Sequence, residues 1–139
     1  MRIVPRTSLP VGTMRALVVD DNSTIRRILT RYLTAEGIEV FEAQHGGEAL
    51  LRLGALGHVD LVLVDWNMPL IDGLTFVKVG RAQARFAGVL IVMVTTESDP
   101  SSLAEAIAAG VDEYVLKPFT KDDVVSKLAP LGLGDPLAR

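Results

Sequence analysis

Leu61-Val62-Leu63-Val64-Asp65-Trp66-Asn67-Met68-Pro69 is the stretch that decides how this chain folds. Four apolar residues in succession are too continuous for a strand with one wet face. They suit a strand covered on both faces, as in a parallel sheet. The run ends on a carboxylate, Asp65, and the residues that follow, closing with Asp72-Gly73, break the pattern. Open α/β sheets place their chemistry at the C-terminal tips of buried strands. The same arrangement recurs outward from this stretch. Leu17-Val18-Val19 ends on Asp20-Asp21, the run from Val89 to Val94 ends on Thr95, and Tyr114-Val115-Leu116 ends on Lys117. Four strand-like segments thus deliver a polar group at the same end.

Helical patterns fill the gaps. Strands are predicted over residues 15–20, 39–43, 59–65, 89–95 and 113–116. After the first strand, Ile25, Ile28, Leu29, Tyr32 and Leu33 recur at helical spacing. Ser23 is the candidate N-cap of that helix, and Gly37 ends it. A second helix is expected over 46–56, with Leu50 and Leu53 on one face. A third, over 74–81, is weak: Val77 and Val79 are β-branched, and Gly80 costs about 1 kcal/mol relative to Ala in a helix interior. A fourth runs from Pro100, suited to a first turn, to Ala109 with Gly110 closing it. The last covers 121–128 and stops before Pro130. Regular alternation of strands and helices predicts an α/β fold with a parallel sheet, helices on both faces and right-handed crossovers.

Composition narrows the function. The 139 residues suit one domain, and 49% hydrophobic with 22% charged residues supports a substantial core. Net charge is −3 with no basic stripe, so direct nucleic-acid binding is not suggested. The absence of cysteine removes disulfides and thiolate metal sites. No apolar run approaches the roughly 18 residues of a membrane span. Arg2 and Arg6 occur near the start without an apolar core, so no signal peptide is read there, and a cytoplasmic location is expected. Residues 1–13 are expected to form a loose extension, 14–129 the domain, and 130–139 a frayed tail.

Asp20, Asp21 and Asp65 cannot converge without cost, because neighbouring like charges oppose ionisation. A hard divalent cation removes that cost, and Mg²⁺ favours oxygen ligands completed by water and phosphate. An acidic cluster with an open side therefore suggests a Mg²⁺-assisted phosphate site, with Mn²⁺ as a substitute. Asp65 is the candidate nucleophile. Lys117 is the candidate positive charge and Thr95 a hydroxyl donor to the phosphoryl oxygens.

Taken together, Asp20-Asp21, Asp65 with Met68-Pro69 and Asp72-Gly73, Thr95, and Lys117-Pro118-Phe119 resemble the receiver domain of two-component response regulators. The resemblance spans about residues 14–129 and is strongest to the chemotaxis-type single-domain subgroup. It implies a flavodoxin-like, doubly wound sheet of order 2-1-3-4-5. It further implies that Asp65 accepts a phosphoryl group from the phosphohistidine of a sensor histidine kinase or phosphotransfer protein. Asp20, Asp21, Asp65 and the backbone carbonyl of Asn67 would hold Mg²⁺. Lys117 and Thr95 would stabilise the phosphate, and Thr95 with Tyr114 would form the switch. The output would be a protein target on the face made by the fourth helix, fifth strand and fifth helix. A cis Lys117–Pro118 peptide is implied as well.

Asn67, Thr96 and Glu97 occupy positions that would tune the rate of phosphate loss. Thr96 departs from the subgroup, where a smaller residue is usual. Gly80 departs where a large apolar residue is usual, and Leu70-Ile71 is unusually apolar for its loop, which suggests a contact surface.

Each residue has an ordinary alternative: a helix-capping acid pair for Asp20-Asp21, a solvated lysine for Lys117, a strand-end hydroxyl for Thr95, a half-buried aromatic for Tyr114. His45 and His58 read as surface residues and Trp66 as an exposed probe. Two other functions compete. An aspartate-nucleophile phosphohydrolase, resembling the haloacid dehalogenase group, needs an acid two residues after the nucleophile, where Asn67 stands. A degenerate receiver acting as a constitutive binding module conflicts with the complete set of polar residues. The expectation is therefore a stand-alone signalling switch rather than a turnover enzyme, with no nucleic-acid or membrane partner.

Overall fold

The computed structural model describes residues 13–132. The elements run β1 (Arg15–Val19), α1 (Ser23–Ala35), β2 (Glu39–Ala43), α2 (Gly46–Leu56), β3 (Leu61–Val64), α3 (Gly73–Arg81), β4 (Leu90–Thr95), α4 (Pro100–Ala109), β5 (Glu113–Leu116) and α5 (Lys121–Leu128). All strand pairs are parallel, and the sheet order is β2-β1-β3-β4-β5. The strand order reverses between β1 and β3, and that reversal opens a crevice beyond their C-terminal ends.

Alternation along the strands divides the core in two. Leu17 and Val19 of β1 face one side with Ala49 and Leu53 of α2, Phe76 and Val77 of α3, and Ala106 of α4. Ala16 and Val18 face the other with Leu29 and Leu33 of α1 and Val124 and Leu128 of α5. Every residue of β3 is buried, which is why its sequence is apolar throughout. The strand is shorter than the predicted 59–65, although backbone bonds continue past both ends, from Asp60 to Arg15 and from Asp65 to Val19.

α3 forms despite Gly80 and its β-branched residues, because Leu74, Phe76 and Val77 are buried. Arg81, at its C-terminal end, donates to the carbonyls of Gly110 and Val89 and pairs with Asp112. The N-cap of α1 is Asn22 and not Ser23. The Asn22 side chain accepts from the Thr24 and Ile25 amides, whereas Ser23 already lies in the helix. Asx carbonyls reach those amides from the position just outside the helix.

The expected extension and tail fall largely outside the described residues. Where the tail is described, Ala129–Leu131 makes a 3-10 turn closed by Gly132 at φ 82°. Pro130 therefore lies inside this turn.

Candidate functional site

The site grows from the register of two strands. Val19 of β1 lies opposite Val64 of β3, so the next residues, Asp20 and Asp65, leave the sheet side by side. Each is anchored by its own amide: Asp65 N–H to the Val19 carbonyl at 3.0 Å and Asp20 N–H to the Ala43 carbonyl at 3.2 Å. Asp20 and Asp65 are buried, and Asp21 is exposed. One carboxylate oxygen from each of the three lies within 4.8 Å of the others.

Lys117 enters from the end of β5. Its backbone N–H donates to the Thr95 carbonyl at the tip of β4, and its peptide to Pro118 is cis. Its Nζ lies 2.8 Å from Asp20 Oδ2 and 3.4 Å from Asp65 Oδ2. Residues from three strand tips thereby meet within one ion-pair network. It is the tertiary register, not sequence proximity, that joins Lys117 to Asp65 and to Asp20, which lies 97 positions earlier.

The electrostatics leave an excess of negative charge. Burial pushes the Asp65 carboxyl above the ordinary value of 3.8, with Lys117 lowering it, Asp20 raising it and the Asn67 backbone bond lowering it. One ammonium does not neutralise three carboxylates. The donor set is entirely hard carboxylate oxygen, and one member, Asp21, opens to solvent. Such a cluster fits a hard divalent cation that retains water or takes phosphate oxygens as its remaining ligands.

The β4 side carries the other predicted residues. Thr95 is fully buried, and its Oγ1 accepts from the Glu97 amide at 3.3 Å. The Tyr114 hydroxyl donates to the Glu97 carbonyl at 2.7 Å. Burial pushes the Tyr114 phenol up to about 12, with the charges of Glu97 and Asp65 adding to the effect. Tyr114 is thus tied to the loop after Thr95. Thr96 and Asn67 are exposed, and Glu97 is half-buried.

Several expectations need revision. Trp66 is half-buried against the core and not an exposed probe. His45 is the N-cap of α2, its Nδ1 accepting from the Glu48 amide at 3.1 Å, whereas His58 is a surface residue paired with Asp60. The Leu70-Ile71 pair divides. Leu70 is 94% exposed with a left-handed φ of 69°, and Ile71 packs on the core beside Gly46. Sequence reasoning also missed three supports of the site. The Asn22 amide holds Asp20 Oδ1 at 2.9 Å, Arg26 Nη1 holds the Asp20 carbonyl at 2.7 Å, and Gly73 donates to the Trp66 carbonyl at 2.8 Å. Asn22, an Asx residue directly ahead of a helix, was findable from its type. Arg26 was not, because its second partner, Glu42, lies on another strand.

Comparison with known proteins assigns the class. The chain matches the response regulator receiver domain over residues 16–129 and belongs to that family. Within it, the chain is similar to chemotaxis proteins. It is 44% identical over 124 residues to chemotaxis protein CheY1 of Helicobacter pylori, covering 88% of this chain and 100% of that one. It is also 44% identical over 123 residues to the chemotaxis protein CheY homolog of Campylobacter jejuni, covering 87% and 95%. The crystallised chemotaxis protein CheY4 of Vibrio cholerae superposes with a TM-score of 0.81 at 33% identity, over 86% of this chain and 98% of that one. The chain is therefore a CheY-like response regulator receiver of flavodoxin-like fold. Among the described residues, no helix is long and apolar enough to cross a membrane.

Proposed function

We propose that the protein is a Mg²⁺-dependent phosphoryl acceptor whose phosphorylation on Asp65 switches a protein-binding face. The observation that carries this reading is the meeting of Asp20, Asp21 and Asp65 within 4.8 Å, with Lys117 bridging Asp20 and Asp65. An Asp65 carboxylate oxygen attacks the phosphorus of a phosphohistidine on a sensor histidine kinase or phosphotransfer protein. The O–P bond forms as the N–P bond breaks, and the departing imidazole keeps the electron pair and takes up a proton. Asp20, Asp21, Asp65 and the Asn67 carbonyl would hold Mg²⁺, or Mn²⁺ in its place, which would supply charge for the phosphoryl oxygens. Lys117 exchanges the Asp65 carboxylate for a phosphoryl oxygen, and the Thr95 hydroxyl donates to another.

Bonds already present support a route for the switch. Movement of Thr95 towards phosphate alters the loop that its Oγ1 shares with the Glu97 amide. The Glu97 carbonyl holds the Tyr114 hydroxyl, so Tyr114 repacks with it. Tyr114 lines a groove with Leu103, Leu116, Pro118 and Lys127, between α4 and α5 over β5. The downstream protein docks on this face, and phosphate favours the conformation that binds it better. Asn67, Thr96 and Glu97, in the loops that follow β3 and β4, set the phosphate lifetime. Residues 14–129 act as the receiver, in the cytoplasm, with protein partners and no direct contact with nucleic acid or membrane. The protein is a self-modifying switch and not a turnover enzyme.

The test is incubation with Mg²⁺ and acetyl phosphate, followed by intact mass. A gain of one phosphoryl group, absent without Mg²⁺ and absent in Asp65→Ala, is expected. Steady multiple-turnover release of phosphate from small esters without an adduct would instead identify a hydrolase. No response to Mg²⁺ would identify a constitutive binding module.

A further inference from the structure

Asp20 is held at every polar atom it has. Its amide donates to the Ala43 carbonyl, its Oδ1 accepts from the Asn22 amide, and its Oδ2 accepts from Lys117 Nζ. Its carbonyl is the remaining group. β1 ends at Val19, and the Asp20 carbonyl instead receives the guanidinium of Arg26, Nη1 to O at 2.7 Å. That guanidinium is 13% exposed at its side chain and is itself braced, with Nε 3.1 Å from Glu42 Oε1. Glu42 lies opposite Val18 in the sheet, and its second oxygen accepts from Thr30 Oγ1 at 3.2 Å. α1 and β2 are therefore clamped onto the peptide that joins the two acids of the cluster.

We infer that Arg26 is a positioning residue for the cation site, acting through the Asp20–Asp21 peptide. Rotation of that peptide swings Asp21, the exposed member of the cluster, relative to Asp20 and Asp65. Two neighbouring bonds fix the side chain of Asp20, but neither fixes the plane of the peptide that follows it. Arg26 does, because its fork reaches the carbonyl and Glu42 together. The paired Glu42 carboxylate offsets the guanidinium charge, so the residue acts by geometry more than by its field. Removing such a support around a metal ligand costs about tenfold in affinity, the lower end of what outer supports contribute.

The inference rests on the cation-binding part of the proposed function, and its test reads Mg²⁺ alone. Mg²⁺ is titrated into the wild-type protein, Arg26→Met, Arg26→Lys and Thr30→Val, following Trp66 fluorescence with calorimetry as a second readout. Thermal unfolding in EDTA reports folding separately. Arg26→Met is expected to raise the Mg²⁺ Kd about tenfold, with acetyl phosphate labelling restored at saturating Mg²⁺. Lysine keeps the charge but reaches only one of the two partners, so Arg26→Lys falls between, at about threefold by the same reasoning. Thr30→Val, at the far end of the network, leaves the Kd unchanged. A purely structural role would lower the unfolding midpoint without moving the Kd. A wild-type Kd in any folded Arg26 variant overturns the inference. A wild-type protein that ignores Mg²⁺ overturns the cation reading itself.

Discussion

Gly73→Ala is the most severe single-methyl change this site can suffer. An ideal Cβ at Gly73 would lie 2.1 Å from the Asp65 carbonyl oxygen, 2.8 Å from Trp66 Cα and 2.9 Å from the Asp65 carbonyl carbon. Ordinary contact begins near 3.4 Å, so the methyl is more than 1 Å too close to the Asp65 carbonyl oxygen and also too close to the two carbons, all backbone atoms that cannot rotate away. The Gly73 amide also donates to the Trp66 carbonyl at 2.8 Å, which fastens the start of α3 to the Asp65 loop. Relief requires the helix start and the loop to part. Overpacking typically costs about 1–3 kcal/mol, and a clash with a backbone peptide rather than a flexible side chain belongs at the top, about 3 kcal/mol. For a domain of this size that lowers the midpoint by about 10 °C. The displaced carbonyl belongs to Asp65 itself, so its carboxylate moves too. A misplacement near 1 Å in a reacting group costs about 10²-fold in rate. Urea unfolding and the initial rate of labelling by acetyl phosphate measure the two effects. A variant within about 0.5 kcal/mol of wild type, the usual scatter of neutral surface changes, labelling at the wild-type rate, would refute the steric reasoning.

Gly80→Ala in the same helix places its methyl in open space, with nothing within 4 Å, and should stabilise by about 0.5–1 kcal/mol in urea titration; a loss would mean the space is filled. Leu70 sits at φ 69° with 94% of its surface exposed, so Leu70→Asn relieves left-handed strain without losing packing and should gain about 1 kcal/mol; no gain would show the conformation costs leucine nothing. The Asp65 carboxyl is held above 3.8, so its ionisation opposes folding: the cost is absent below that value and complete above the raised one. Asp65→Asn should therefore be more stable than wild type in EDTA at pH 7, with the difference shrinking as pH falls towards 4. A difference that grows on acidification would reverse the sign of that argument.

Much of this protein was legible before any coordinate. The buried run Leu61–Val64 and its repeats announced a parallel sheet, and the helix bounds at 46–56, 100–109 and 121–128 match the structure. Period and continuity of apolar residues are local properties, so a linear reading captures them. The cap was misplaced where one residue competes with its neighbour, as with Asn22 and Ser23, whereas the weak helix expected over 74–81 forms as α3 because burial offsets its low propensity. Trp66 and Ile71 were misjudged because loop position suggests exposure, while both pack on the core.

The strand tips mark the same division. The sequence by itself determined which residue types end the strands: Asp20-Asp21, Asp65, Thr95 and Lys117. Only the tertiary structure decided that Val19 lies opposite Val64, that Lys117 reaches both buried acids, that Arg26 grips the Asp20 carbonyl, and that Gly73 must lack a side chain. Strand register and the approach of one backbone to another depend on partners far apart in the chain. Local periodicity carries no information about them, and distance in space does the rest.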